Sequence, residues 1–163
     1  MCVSDGRVLE ATFVAQVVRP FSTRRPTEIV AAPKVYGFDT AFICYYRGWQ
    51  DLRDDDLGTL WEHFVLNEIM ARSQSREVFY WRDKRGHEVD FVIATHRKRP
   101  PAIECKWSAN NFDPTNLVAF RYQHPEGDNL VLAHDVERAF TRSYGDLRVR
   151  FDGIRSFADS LSS

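Results

Sequence analysis

The stretch GHEVDFVIATHRKRPPAIECKWS, residues 86–108, holds two strand-like runs that carry charged residues where an apolar core is expected. A strand turns successive side chains to opposite faces. Glu88 and Asp90 are therefore expected on one face, with Val89, Phe91 and Ile93 on the other. In the second run Glu104 and Lys106 share a face, opposite Ile103, Cys105 and Trp107. Paired through the RKRPP turn, the two strands would gather carboxylates and an ammonium into one compact polar site.

The rest of the chain supplies elements to pack around such a pair. Residues 55–73, DDLGTLWEHFVLNEIMARS, have helical periodicity, with Leu57, Trp61, Phe64 and Val65 on one stripe and Leu60 beside it. Glu68 projects into the middle of that stripe, and Glu62 lies on its edge near Leu66 and Ile69. Asp54, Asp55 or Asp56 suits the N-terminus of this helix. EVFYWRDKRGHEVDFVIATH alternates like a hairpin turning at Lys84, Arg85 and Gly86. Runs 11–18 and 29–36 are strand-like, and TAFICYYRGW is a short helix or turn. DPTNLVAFRYQHP predicts a helix and NLVLAHD a short buried strand. LRVRFDGIRSFADSLSS predicts a strand entering a terminal helix. This order implies an α/β sandwich with a mixed central β-sheet flanked by helices. No glycine-rich phosphate loop of the dinucleotide or ATP type is present.

A chain of 163 residues fits one ordinary domain, and 44% apolar residues with 13% aromatics argue against disorder. No apolar run approaches the roughly 20 residues of a membrane span. The start, MCVSDGRVLEATF, lacks the pattern of a secretory signal, so a cytoplasmic protein is expected. Cys2, Cys44 and Cys105 show neither paired spacing nor an even count, against a disulfide framework or a cysteine zinc site. The net charge of -1 gives no global nucleic-acid signature. Locally, THRKRPP (95–101), Arg24 with Arg25, and Arg148 with Arg150 are basic clusters that suit either a phosphate backbone or a solvated surface.

Hydrolysis of a phosphodiester calls for a cation that neutralises a phosphoryl oxygen and holds a water at attack distance. Carboxylates from adjacent strands offer the hard oxygen ligands that Mg²⁺ or Mn²⁺ prefers. Asp90 and Glu104 fit as ligands, with the backbone carbonyl of Cys105 facing the metal between Glu104 and Lys106. Lys106 is placed to orient the water or to stabilise developing negative charge.

With Glu62 on a preceding helix, Asp90 closing GHEVD and ECK at 104–106, the sequence resembles the PD-(D/E)XK nucleases, the restriction-endonuclease-like superfamily, and more closely its Holliday-junction-resolvase-like members. AAPKVYGFDTAF, LGTLWEHFVLNEI, FYWRDKRGHEVDFVI and IECKWS together resemble the C-terminal domain of a family of prokaryotic P-loop ATPases. That resemblance implies a restriction-endonuclease-like three-layer sandwich over residues 28–163. It also implies that 1–27 are the remnant of a preceding winged-helix region, and that the upstream ATPase module is absent from this chain. A site of Glu62, Asp90, Glu104 and Lys106 acting on DNA with Mg²⁺ or Mn²⁺ is implied as well. Val89 stands where the family name has proline, and many domains of this ATPase family have no established nuclease activity. Two readings therefore stay open: a Mg-dependent endodeoxyribonuclease, or an inactive module of the same fold that holds DNA or a partner protein for its ATPase.

Other residues are weighed against ordinary structural roles. Glu68 suits a second metal-facing group or an ion pair with Arg82 or Lys106, and Glu88 suits the site or solvent. His63 and His87 are expected as surface residues rather than general bases. Alternation turns the Cys105 thiol away from the polar face, against a nucleophilic role. Trp81 and Trp107 are expected to pack against the sheet rather than to stack on bases.

Overall fold

The computed structural model describes residues 15–21, 32–72, 77–94 and 99–161. Along them run β1 (Ala15–Pro20), β2 (Lys34–Gly37), α1 (Thr40–Arg47), α2 (Asp54–Arg72), β3 (Val78–Arg82), β4 (Glu88–Ile93) and β5 (Ala102–Lys106). A 3₁₀ turn at Ala109–Asn111, α3 (Thr115–Gln123), β6 (Asn129–Ala133), β7 (Phe140–Tyr144), β8 (Leu147–Asp152) and α4 (Ile154–Leu161) complete the order. All eight strands join one sheet, β2-β1-β3-β4-β5-β6-β8-β7. Its pairings are mixed: β1–β3, β5–β6 and β6–β8 are parallel, and the others antiparallel. The expected mixed α/β architecture is what forms.

Local chemistry explains the boundaries. Asp56 reaches back to the Arg53 amide at 3.0 Å, half of a capping box at the head of α2. Asp39 caps α1 by accepting from Ala41 N, and Gly48, in the left-handed region at φ 67, ends that helix while its amide reaches Cys44 O and Tyr45 O. Between β3 and β4, Asp83 accepts from the amides of Arg85 at 2.8 Å and His87 at 3.0 Å, closing the hairpin where the sequence predicts it.

Helices cover both faces of the sheet. On one, Trp61, Val65, Leu66 and Ile69 of α2 and Phe157 of α4 pack on Phe91, Ile103, Cys105 and Leu132. On the other, Leu117 and Phe120 of α3 pack on Val89, Val92, Ala102, Val131 and Phe151. Trp81 is buried here, edge-on to Phe120 at 5.3 Å, as expected of a core tryptophan.

The packed face of α2 is rotated from the stripe expected. Phe64 is 40% exposed, and Leu66 and Ile69 are fully buried in its place. The reason is the apolar trough formed by Phe91, Ile103 and Leu132, which takes the aliphatic edge of the helix. Glu68, expected inside the stripe, instead pairs with Arg72 at 3.1 Å, one turn on. His63, expected at the surface, is 9% exposed, with Nδ1 3.0 Å from Thr59 O and its ring against Tyr36.

One further feature escapes the sequence pattern. β7, whose FTRSY has three exposed residues in five, forms as an edge strand held by β8 alone. β1, inside the segment 1–27, is sandwiched between β2 and β3. The basic pair Arg24–Arg25 and residues 95–98 of THRKRPP lie outside the described residues. Among the described residues, no helix is long and apolar enough to cross a membrane.

Candidate active site at the parting of β4 and β5

Strand register explains how charge enters the sheet. β3 and β4 pair Phe79 with Val92 but Trp81 with Val89, so Asp90 and Phe91 together stand opposite Tyr80 alone. This is a β-bulge, which re-aims a side chain and breaks the two-residue alternation. Its effect is visible in the core: Val89 packs on the α3 side, whereas Phe91 packs on the α2 side. The expectation that Val89, Phe91 and Ile93 share one face is corrected by that extra residue. Asp90 sits at the bulge, between the two faces.

The β4–β5 ladder ends at the same place, with Phe91–Ile103 the last backbone pair toward Lys106. Beyond it, the Cys105 amide donates to Asp90 Oδ2 at 2.8 Å, so a carboxylate replaces the neighbouring strand. β5 itself alternates as expected. The Cys105 side chain lies with Ile103 and Leu132 in the α2-side core, and Ala102, two residues before Glu104, lies in the α3-side core. Burial, reinforced by Asp90, pushes the Cys105 thiol well above its ordinary pKa, so it stays protonated and is no nucleophile.

Glu104 is 1% exposed. Its Oε2 accepts from Lys106 Nζ at 2.8 Å, while Oε1 is buried and, among the described residues, meets only the nearby Asn116 side chain, without a hydrogen bond of good geometry. The Asn116 side chain at the head of α3 faces Glu104 and favours its ionised form, and its Oδ1 also accepts from the Glu88 amide at 3.4 Å. Burial raises the Glu104 pKa, opposed by Lys106 and reinforced by Glu62. Asp90 is raised further, by burial first and then by the charges of Glu104 and Glu62. Burial alone would lower the Lys106 pKa, but Asp90 and Glu104 outweigh it and raise it.

Glu62 projects from α2 toward β2. The Tyr36 hydroxyl donates to its Oε1, and Lys34 Nζ lies 3.4 Å from the same oxygen. Lys34 also meets Glu88 at 2.5 Å, and Arg82 meets Glu88 at 2.7 Å from the other side. Asp90 further raises the pKa of Lys34. The structure therefore gathers Glu62, Asp90, Glu104 and Lys106 in one electrostatic cluster, and Glu88 joins it. Glu68 does not. His87 pairs with Asp83 at 2.8 Å within the hairpin turn. Lys34, Tyr36 and Asn116 are the members that the sequence reading missed. Lys and Tyr two apart in KVYG place both on one face of β2, which is the signal that was available.

Among the described residues, four carboxyls (Glu62, Glu88, Asp90, Glu104) meet three cations (Lys34, Arg82, Lys106). Asp90, its pKa raised by burial first and then by the charges of Glu104 and Glu62, is the carboxyl that most readily keeps its proton. Among the described residues, no three His, Cys, Asp or Glu side chains are grouped as a ready-made metal cage. Mg²⁺ needs none, because it binds through one or two carboxylates and keeps several waters. The buried Oε1 of Glu104 and the neighbouring Asp90 carboxyl, which would release its proton on ligation, are the hard oxygens such an ion would take. A cavity of ≈ 420 Å³ where α1 meets α2 is lined by Gly48, Trp49, Gln50, Asp51, Arg53 and Asp56, none of them in this cluster.

The family described as "Domain of unknown function (DUF4143)" matches residues 57–149, which include every member of the cluster except Lys34 and Tyr36. The chain is 31% identical over 107 residues to an uncharacterized protein of Mycobacterium tuberculosis, Rv2008c, and equally to one of Mycobacterium bovis, Mb2031c. That match covers 61% of this chain and 24% of each relative, so the chain spans about a quarter of their length. Among solved structures it is similar to a chain of an assembly of Thermococcus gammatolerans McrB AAA+ hexamers with bound McrC. The identity is 7% and the TM-score 0.42, over 97% of this chain and 64% of that one, too low for the likeness to carry an argument.

Proposed function

The chain belongs to the DUF4143 family, and we propose that it is a metal-dependent phosphodiester hydrolase domain of the PD-(D/E)XK type, with the restriction-endonuclease-like sandwich as its fold and DNA as its substrate. The observation that carries the reading is the buried Oε1 of Glu104, left without a hydrogen bond, beside a second buried carboxyl, Asp90. Asp90, Glu104 and the Cys105 carbonyl would hold Mg²⁺ or Mn²⁺. When bound, the cation supplies Lewis-acid activation of the phosphoryl group and an acidified water. Lys106, held at 2.8 Å on the other oxygen of Glu104, orients the attacking water and stabilises negative charge on the phosphate. Glu62, fixed by Tyr36 and Lys34, completes the polar wall on the α2 side. The bulge at Asp90 supports the reading, because it turns a core position into one that faces this site.

We further propose that the domain serves a longer polypeptide carrying an ATPase, of which residues 1–27 would include the end of a winged-helix region. The mycobacterial relatives, about four times the length of the matched stretch, are compatible with that arrangement. A second reading has its own observation. Glu62, Glu88 and Glu104 each already hold a cationic partner, as expected of a module that binds without cutting. Incubation of the pure chain with linear and branched DNA in Mg²⁺, Mn²⁺ or EDTA separates the two. Metal-dependent nicking lost in Lys106→Ala is expected of the hydrolase. DNA binding that is indifferent to metal and yields no product would establish the non-cutting module instead.

A further inference from the structure

Immediately beyond the proposed metal site, the parallel strands β5 and β6 end in register, with Lys106 opposite Ala133. The next residue of each strand is an aromatic ring. Trp107 and His134 stack face to face, with centroids 4.0 Å apart and planes 13° from parallel. Trp61 backs both edge-on, at 6.2 Å from Trp107 and 5.7 Å from His134, and its own Nε1 is anchored on Leu132 O at 2.9 Å. Asp135 ties the two strand exits together by accepting from Ser108 Oγ at 2.7 Å and Ala109 N at 2.8 Å.

The stack is thus held from below and from the side, while His134 is exposed to solvent. A histidine needed only for packing would turn its ring into the core. This one rests flat on a tryptophan at an exposed position. It does so at the carboxyl ends of parallel strands, where α/β sheets receive ligands.

We propose that the Trp107–His134 stack, on the α2 side of the same strand ends whose other face carries Glu104 and Lys106, is a platform for one unpaired base of the bound DNA, giving the domain a preference for single-stranded or branched DNA over continuous duplex. A preorganised aromatic face suits this task, because stacking is indifferent to base identity and is worth roughly 1–3 kcal/mol per base. A base inside a duplex already has both faces covered and gains nothing from the ring. The proposal rests on the hydrolase reading for its choice of DNA, but the stacking step needs no metal.

The test is therefore made in EDTA on the full chain. Binding of a 12-nucleotide single strand carrying 2-aminopurine is followed by anisotropy and by quenching, beside the matching duplex, for the parent, His134→Ala and His134→Phe. Quenched 2-aminopurine in the parent, single-strand affinity weakened by about five- to 150-fold in His134→Ala, recovery in His134→Phe, and unchanged duplex affinity are expected. Equal single-strand affinity in all three proteins, or no quenching in the parent, overturns the platform. Cleavage measured separately in Mn²⁺ keeps the two ideas apart. Loss of stacking with intact cleavage removes only the platform, and stacking without any cleavage removes only the hydrolase.

Discussion

Replacing Lys106 by methionine keeps the length of the side chain and removes the charge that, among the described residues, directly contacts Glu104. At 2.8 Å and an effective dielectric of about 20, that contact amounts to about 6 kcal/mol of Coulomb attraction. The measurable loss is smaller, because Glu104 can take up a proton once its partner is gone. Removal of one member of a buried pair typically costs about 3–5 kcal/mol. For a chain of this size that lowers Tm by roughly 6–20 °C. Glu104 is already raised by burial, and without Lys106 it rises further. A carboxyl whose folded pKa lies above its unfolded value stabilises the fold below the unfolded pKa and loses that contribution as pH climbs through the folded one. The deficit of Lys106→Met should therefore be small near pH 4 and grow toward pH 8. Adding Glu104→Gln removes the orphaned charge and should restore much of the loss. Urea denaturation of the four proteins of this cycle across that pH range, in EDTA, measures the coupling. A loss below about 1 kcal/mol, or one that does not vary with pH, would refute a buried ion pair at this site.

Asp90→Asn keeps an acceptor for the Cys105 amide and removes a carboxyl whose ionised form burial disfavours. The metal-free variant should melt a few degrees above the parent at pH 8 and together with it near pH 4, and calorimetry reads the difference. Cys105→Ala removes a core thiol on the α2 side and should cost about 1–2 kcal/mol in denaturant melts while leaving Mn²⁺ affinity unchanged. Arg121 donates to the carbonyls of Pro100, His124, Glu126 and Asp128 and to Asn129 Oδ1, so it fastens the β4–β5 and α3–β6 loops together. Arg121→Met should cost about 3–5 kcal/mol by the same measurement.

The sequence was most legible where periodicity and turn chemistry agreed. KRG between two alternating runs marked the β3–β4 hairpin, ECK marked a strand with its thiol inward, and the apolar spacing marked α2. It was least legible where one residue breaks a period. The bulge at Asp90 depends on how Phe79 and Trp81 pair with β4, a long-range fact that alternation within β4 cannot encode. The rotation of α2 that exposes Phe64 is set by the trough of Phe91, Ile103 and Leu132, not by the helix's own pattern. β7 was missed because an edge strand held on one side alone needs few apolar residues. Within the site, the carboxylates and Lys106 stood out as charges inside apolar runs. Lys34 and Tyr36 sit in a four-residue strand distant in sequence, and only the fold brings them to Glu62. His134 offered no motif, since its role depends on β5 and β6 ending in register.

The central claim is that the buried carboxyls of Glu104 and Asp90 form a cation site. Calorimetric titration of Mn²⁺ into the parent chain and into Glu104→Gln tests it directly, with thermal melts to establish that the variant is folded. The parent should bind Mn²⁺ at one site and rise in Tm with added metal, whereas Glu104→Gln should show neither heat of binding nor thermal shift. Superimposable isotherms for the two proteins, or no binding by the parent, would contradict the claim and leave the cluster as a structural network of ion pairs.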